Sequence, residues 1–120
     1  MISAYNTALS GMNANATRVA VSANNVANAR TPDYNAQEVV QTAQAGGGVD
    51  VEVQDAGNGS LPAYQPDAPG ADSQGYMQMP NVDYAAEAVE QRMAVAGYAS
   101  NAAVIKTLAA MDKDLLDIKA

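Results

Sequence analysis

The side chains in this sequence that could carry acid–base chemistry are carboxylates, because its 120 residues include no His and no Cys. That composition excludes thiol nucleophiles, imidazole bases, disulfides and zinc sites built from Cys or His. Catalysis would have to rest on carboxylates such as Asp83, Glu87 and Glu90. They lie on a predicted helix that supplies no partner base and implies no cleft. We interpret them as a solvated face and expect no enzyme, no cofactor and no metal site.

Amide side chains offer a different chemistry. Three asparagines, Asn24, Asn25 and Asn28, lie close together inside a helical period. Asn is a poor helix former, so its repeated use here predicts hydrogen bonding at helix contacts. Thr31-Pro32 then ends the helix, because the residue before a proline is pushed out of the helical region.

The helix that carries these asparagines begins near the N terminus. Its apolar positions alternate at spacings of three and four residues, the a/d heptad pattern of a coiled-coil seam. They are Ile2, Tyr5, Leu9, Met12, Ala16, Val19, Ala23 and Val26. Two interpretations stay open: a helix packed on its own domain, or a seam that contacts other molecules. The small Ala positions, and the lack of other apolar segments to pack against, favour the second.

A second heptad seam runs through the C-terminal third of the chain. It comprises Val82, Ala86, Val89, Met93, Ala96 and Ser100, then Val104, Leu108, Met111, Leu115 and Ile118. The step from Ser100 to Val104 is a stutter, which locally unwinds a supercoil. Pro80-Asn81 supplies a helix breaker and the predicted N-cap. Helices of this size, about 55 Å and about 40 Å long, do not make a compact globule.

The segment between the helices is predicted to form strand and turn. Residues 37–80 carry six acidic residues and no basic one, with seven of the nine Gly and four of the five Pro residues. Val49, Val51 and Val53 alternate with acids, which predicts a strand or hairpin. Prolines at 62, 66 and 69 predict irregular chain as far as Gly75. The acids lack the spacing of a calcium-binding loop, and we interpret them as solvated.

Composition limits the partners of this chain. Leu, Ile, Val and Phe make 20 of the 120 residues, and the formal net charge is −7, so the chain is expected to need copies or partners to stay folded. The excess of acids argues against nucleic acid. The apolar runs are too short for membrane insertion. The first residues lack the basic and apolar regions of a cleaved secretory signal peptide.

The stretch from Ser22 to Tyr34 resembles a family signature. It reads SANNVANARTPDY, and it is similar to the S-x-N-N-x-A-N-x-x-T-P-G-Y pattern that ends the first helix of bacterial flagellar axial proteins. Asp33 stands where the family has Gly, and Asp tolerates a turn or left-handed conformation. The matching signature positions are Asn24, Asn25, Asn28, Thr31, Pro32 and Tyr34, with Tyr98 and Asn101 in the C-terminal helix.

The middle of the chain is similar to proximal rod proteins in particular, at GGGV from Gly46, YQPDAP from Tyr64 and GYMQMPNV from Gly75. The resemblance implies a mainly α fold whose terminal helices, in residues 1–36 and 81–120, pair as a coiled coil around a short loop-rich segment with a small β element. It further implies a structural subunit of the basal-body rod that polymerises into a helical tube and transmits torque.

The same resemblance implies the partners and the location. These are copies of the chain, other rod subunits and the flagellar type III export apparatus, with no nucleic acid, no small-molecule substrate and no membrane insertion. The chain would then lie in the rod on the periplasmic side, exported without a cleaved signal peptide. The assembly seam would comprise Ile2, Tyr5, Leu9, Met12, Val19, Val26, Val89, Met93, Val104, Leu108, Met111, Leu115 and Ile118.

Two alternatives remain beside the rod subunit. One is another axial role in the same family, such as a hook-related subunit, but residues 37–80 are too few for the outer domains of hook proteins. The other is an unrelated secretion-linked coiled-coil adaptor, for which the asparagine signature would be a coincidence.

Overall fold

Two long antiparallel helices form the body of the molecule. The computed structural model describes residues 2–119, in which α1 spans Ile2–Asn28 and α2 spans Tyr84–Lys119. The principal dimensions are 78 × 24 × 19 Å, with a radius of gyration of 20.8 Å. A compact domain of this length would have a radius of about 14 Å. The coiled-coil pairing of the terminal helices is therefore confirmed, and the molecule is elongated.

The start of α2 is fixed by a side-chain cap. Asp83 Oδ1 accepts hydrogen bonds from the backbone N–H groups of Ala85 (2.8 Å) and Ala86 (3.2 Å). These are orphan donors of the first turn, which makes Asp83 the N-cap. The prediction of Asn81 as the N-cap is wrong, because its amide bonds instead to Asn58.

Two antiparallel hairpins connect the helices. In the first, β1 (Gln37–Ala43) pairs with β2 (Val49–Asp55). It packs along α1, where it buries Ala14 (1% exposed) and Val21 (9% exposed). At its turn Gly48 has a φ of 95°, and an added Cβ would lie 2.5 Å from Ser10 Oγ. Gly48 is therefore required both for the turn and for the close approach to α1.

The second hairpin pairs β3 (Ser60–Tyr64) with β4 (Tyr76–Pro80). The prediction of irregular chain from Pro62 to Gly75 is wrong as far as Tyr64, whereas residues 65–75 form neither helix nor strand, as predicted. Pro62 fits in a strand because of its position in the ladder. Gln65 N–H donates to the Gly75 carbonyl, so the alternation of an antiparallel ladder places the nitrogen of Pro62 on the outer edge. No ladder hydrogen bond is lost there, and proline is tolerated.

Candidate assembly surfaces

The contact between the two helices is made by small and polar residues. On α1 they are Ala8, Gly11, Asn15, Arg18, Ser22 and Asn25, and on α2 they are Glu87, Glu90, Ala94, Gly97 and Asn101. This inner strip has the same alternating spacing as the apolar seam predicted from the sequence. It is displaced from that seam by one residue along α1, and along α2 as far as Ser100, which is about 100° around the axis. After the stutter, the seam residues from Val104 onward continue the frame of the inner strip.

Two Gly–Asn pairs hold the helices close together near the middle. Asn15 Nδ2 donates to the Gly11 carbonyl one turn back (2.8 Å), and Asn101 Nδ2 donates to the Gly97 carbonyl in the same way (3.1 Å). Each asparagine also lies over the glycine of the other helix. A Cβ added at Gly11 would lie 2.7 Å from Asn101 Nδ2, and one at Gly97 would lie 2.8 Å from the Asn15 amide. The arrangement is reciprocal, and it fixes the distance between the helices.

Hydrogen bonds between the helices lie toward the two ends. At one end Tyr5 OH donates to Asp112 Oδ2 (3.0 Å). This bond, together with desolvation as the larger cause, raises the pKa of Tyr5. Toward the other end the guanidinium of Arg18 makes a bidentate pair with Glu90, with Nη2 2.9 Å from Oε2. Hydrogen bonding to that carboxylate raises the pKa of Arg18 despite partial desolvation.

Asn25 connects three parts of the chain. Its side chain is 2% exposed. The Oδ1 atom accepts from the Gln37 N–H (2.9 Å) and from Tyr34 OH (2.9 Å), while Nδ2 donates to the Gln37 carbonyl (2.8 Å) and to Glu87 Oε1 (2.7 Å). The amide therefore pairs with Gln37 as a neighbouring strand would. Desolvation, with the nearby Glu87 carboxylate, raises the pKa of Tyr34.

The other signature residues shape the end of α1. Asn28 Nδ2 donates to Asn24 Oδ1 (2.7 Å), and Thr31 Oγ1 donates to Asn28 Oδ1 (3.3 Å). Pro32 is exposed, and Asp33 has a φ of 60°. That left-handed conformation is where a glycine would be most relaxed. The Asp33 N–H donates to the Gln78 carbonyl (3.2 Å), so the turn joins α1 to β4.

Most of the predicted apolar seam faces outward, whereas its member Tyr5 contacts α2 through Asp112. Its most exposed members are Ile2 (80%), Leu9 (50%), Val89 (57%), Met93 (58%), Val104 (47%), Met111 (51%), Leu115 (52%) and Ile118 (82%). Tyr5, Met12, Val19, Val26 and Leu108 are half-buried. Of the two C-terminal signature residues, Tyr98 is 43% exposed, whereas Asn101 contacts α1 at Gly11.

The two halves of the seam point in opposite directions. On α1 the seam follows the inner strip by one residue, and on α2, from Ala86 to Ser100, it precedes the inner strip by one residue. Because the helices are antiparallel and both right-handed, these displacements place the two halves on opposite faces of the pair. Ala14 and Val21, which the β1–β2 hairpin covers, lie on the face that the α2 half shares. One subunit therefore presents two separate apolar strips.

The sequence analysis did not predict the inner strip, its Gly–Asn pairs or the partner of Asn25. Gly11, Gly97 and Asn15 were not predicted as contact residues, although both helices contain Gly-x-x-x-Asn, at residues 11–15 and at residues 97–101. That repeat was the available signal. Nothing in the sequence indicated Gln37 as the partner of Asn25.

Across residues 2–119 no cluster of three or more acidic side chains is close enough to hold a metal ion. Neither helix is apolar enough over a sufficient length to cross a membrane.

Comparisons with known proteins match both ends of the chain. Residues 6–34 match the family described as flagella basal body rod protein, and residues 73–118 match the family described as flagellar basal body rod FlgEFG protein C-terminal. The flagellar basal-body rod protein FlgC of Escherichia coli O6:H1 is 34% identical, with 92% of each chain covered. FlgC of Yersinia enterocolitica is 37% identical over 89% of each chain, and FlgC of Salmonella typhimurium is 35% identical over 92% of each chain. The chain belongs to the flagellar basal-body rod protein family.

Membership in the flagellar basal-body rod protein family confirms the resemblance drawn from the asparagine signature. The protein is a structural subunit of the flagellar basal-body rod, where it assembles with copies of itself and other rod components. The family is structural and is not an enzyme family. The first matched region ends at Tyr34, so it contains the whole stretch from Ser22 to Tyr34 and every α1 residue of the inner strip.

Proposed function

We propose that the subunit polymerises through its terminal helices into a helical tube that transmits torque, with the outward apolar seam forming the contacts between subunits. One observation carries this proposal: the inner strip joins the helices with small and polar residues, whereas most large apolar residues of the seam stay exposed. Burying a Leu or Met side chain contributes about 1.5–3 kcal/mol. Burial of the seam between subunits would therefore contribute association free energy, because the single chain leaves most of these side chains exposed.

The opposite directions of the two seam halves support a heterologous assembly. The α1 half of one subunit meets the α2 half of the next, so the contact is heterologous. A heterologous contact that does not close on itself generates an open helix. This is the symmetry that a tube requires, and a closed dimer would not provide it.

Export is the second part of the proposal. The subunit reaches the periplasmic side through the flagellar type III apparatus, and it performs no catalysis. Its thin core supports this route, because the buried apolar side chains among residues 2–119 are mostly alanines. A chain with so little buried apolar area unfolds at low cost before it enters a narrow channel.

A matched pair of substitutions tests the seam. Leu9 on α1 and Leu61 on β3 have similar exposure, 50% and 55%. Leu9→Asp places an unpaired charge in the proposed contact, whereas Leu61→Asp places the same charge outside the helices. We expect Leu9→Asp to abolish incorporation into isolated basal bodies and swimming, and Leu61→Asp to retain both.

Export must be measured separately, by immunoblot of each variant in the periplasm, because failed secretion would mimic failed assembly. Normal incorporation of an exported Leu9→Asp subunit would refute the seam. Recovery of the protein in the hook and not in the rod would favour the hook-related role.

A further inference from the structure

The free edges of the four strands differ in how they are protected. In an antiparallel ladder, the backbone groups of alternate residues point away from the partner strand. Such an unpaired edge is a template for another chain unless a proline, a bulge or a covering element protects it. Among the described residues each of the four edges is blocked at one or more positions, and the β1 edge is blocked only at its first residue, beside an opening.

The other three edges are blocked by different means. On β3 the central outward residue is Pro62, which has no N–H to offer. On β4 the outward Gln78 carbonyl accepts from the Asp33 N–H. On β2 the outward N–H groups of Val49 and Val51 donate to Ser10 Oγ (3.2 Å) and to Asp50 Oδ1 (3.0 Å), whereas no residue within 2–119 bonds to that of Val53.

Among the described residues, the outward backbone groups of β1 have hydrogen-bond partners only at its first residue, Gln37. The Ala56 N–H donates to the Ala36 carbonyl and extends the β1–β2 ladder by one pair, so the backbone groups of Gln37, Val39 and Gln41 point outward. Asn25 occupies both groups of Gln37. No residue within 2–119 bonds to the outward groups of Val39 and Gln41. Asn25 therefore pairs with this edge at Gln37 alone, and a further strand could pair with Val39 and Gln41.

An opening lies beside this edge. It has a volume of about 350 Å³ and is bounded by β1, α1 and the first turns of α2. Its charged lining consists of Glu38, Glu87 and Glu90 against the single cation Arg18. Arg18 is already paired with Glu90, so the opening carries a net negative charge.

We propose that this open edge binds an extended segment of a neighbouring rod subunit, which adds a third strand to the β1–β2 hairpin and places a Lys or Arg side chain toward Glu38 and Glu87. Main-chain hydrogen bonds to Val39 and Gln41 provide the affinity, and the carboxylates select a basic segment. The third strand stabilises a sheet that is marginal with two. The inference rests on the proposed assembly, to which it adds a contact outside the helices.

A pair of proline substitutions tests the edge. Val39 and Val53 are direct partners in the ladder, and the nitrogen of each points outward, on opposite edges. Proline at either position preserves the ladder, as Pro62 does in β3, but only Val39→Pro removes a donor from the open edge. We expect Val39→Pro to reduce incorporation into basal bodies roughly tenfold, as one or two lost hydrogen bonds would, and Val53→Pro to incorporate normally. Equal incorporation of the two variants would overturn the proposal.

A pair of charge reversals covers the case in which a proline variant fails to fold. Glu38 and Glu52 are exposed acids on the same face of the hairpin, and only Glu38 lines the opening. Glu38→Lys is expected to weaken incorporation and Glu52→Lys to leave it unchanged. If Glu52→Lys weakened incorporation as much as Glu38→Lys, or more, the selection of a basic segment by these carboxylates would be refuted.

Crosslinking identifies the occupant. A photoreactive benzoylphenylalanine at position 41, irradiated in purified basal bodies, is expected to join an extended segment of a rod protein with Lys or Arg beside the crosslink. A crosslink only to helical segments would overturn the proposal. If Val39→Pro incorporates normally while Leu9→Asp does not, the edge is refuted and the helical seam stands.

Discussion

The inner strip and the outward seam occupy the same two helices but have opposite character. The inner strip is small, polar and hydrogen-bonded, and none of its buried side-chain polar atoms lacks a partner within the described residues. The seam is large, apolar and exposed. Hydrogen-bonded polar contacts add little net free energy but penalise every misaligned arrangement. The comparison shows that register within the subunit and association between subunits are assigned to different surfaces.

The largest expected effect is on the inner surface, at Asn25. Asn25→Ala leaves both Gln37 backbone groups, Tyr34 and Glu87 without their partner, at about 1–3 kcal/mol for each buried group that stays unpaired. We expect the purified chain to lose about 3 kcal/mol or more in urea unfolding followed by circular dichroism. The exposed Asn24 provides the control, and Asn24→Ala should change the unfolding free energy by less than about 0.5 kcal/mol. Equal losses of unfolding free energy in the two variants would show that Asn25 does not fix the contact between α1, β1 and α2.

The second prediction contrasts adjacent residues on α2. Ala94 is 0% exposed and Met93 is 58% exposed. Ala94→Gln forces a long polar side chain between the helices and should cost about 2–3 kcal/mol by overpacking and desolvation. Met93→Gln should change monomer stability by less than about 0.5 kcal/mol, yet it should still impair incorporation into basal bodies. A stability loss at Met93 as large as that at Ala94 would remove the distinction between the two surfaces.

The third prediction concerns the distance between the helices. Gly97→Ala gains about 1 kcal/mol of helix propensity, but its Cβ collides with the Asn15 amide. We expect overpacking to exceed that gain, for a net loss of about 1 kcal/mol in unfolding free energy. Gly46→Ala is the control, because an added Cβ there meets nothing within 4 Å. A stabilised Gly97→Ala chain would show that the helices can separate freely.

The smallest effect lies outside both surfaces, in the loop of the second hairpin. Backbone hydrogen bonds from Tyr76 and Gln74 lower the pKa of Asp72. A lowered folded-state pKa contributes stability above the unfolded value of about 3.9 and loses it as the pH falls through the folded value. Acidification below about pH 4 should therefore speed hydrogen exchange at the amides of Gln74 and Tyr76, with little change in the helix pair. Asp72→Asn should remove this dependence, and an unchanged pH profile would contradict it.

Periodicity predicted the two helices because each seam persists over many turns. The same periodicity could not reveal the inner strip, since a frame displaced by one residue has identical spacing and its residues are small or polar. The asparagine signature correctly indicated hydrogen bonding at a helix contact. Its partners could not be predicted, because Gln37 and Glu87 are 12 and 62 residues away from Asn25. Pro62 was misjudged because tolerance of proline depends on ladder position, which only the pairing reveals.

The hydrogen bonds between α1 and α2 have a mechanical consequence. They lie at Tyr5 and then from Arg18 onward, and Asn15 and Asn101 between them bond only within their own helices. The central stretch, about 20 Å long, is therefore held by the packing of the two Gly–Asn pairs and not by directional bonds between the helices. A load that twists the subunit can deform this stretch elastically without breaking an interhelical hydrogen bond. The subunit is then expected to be more compliant at mid-length than at its hydrogen-bonded ends.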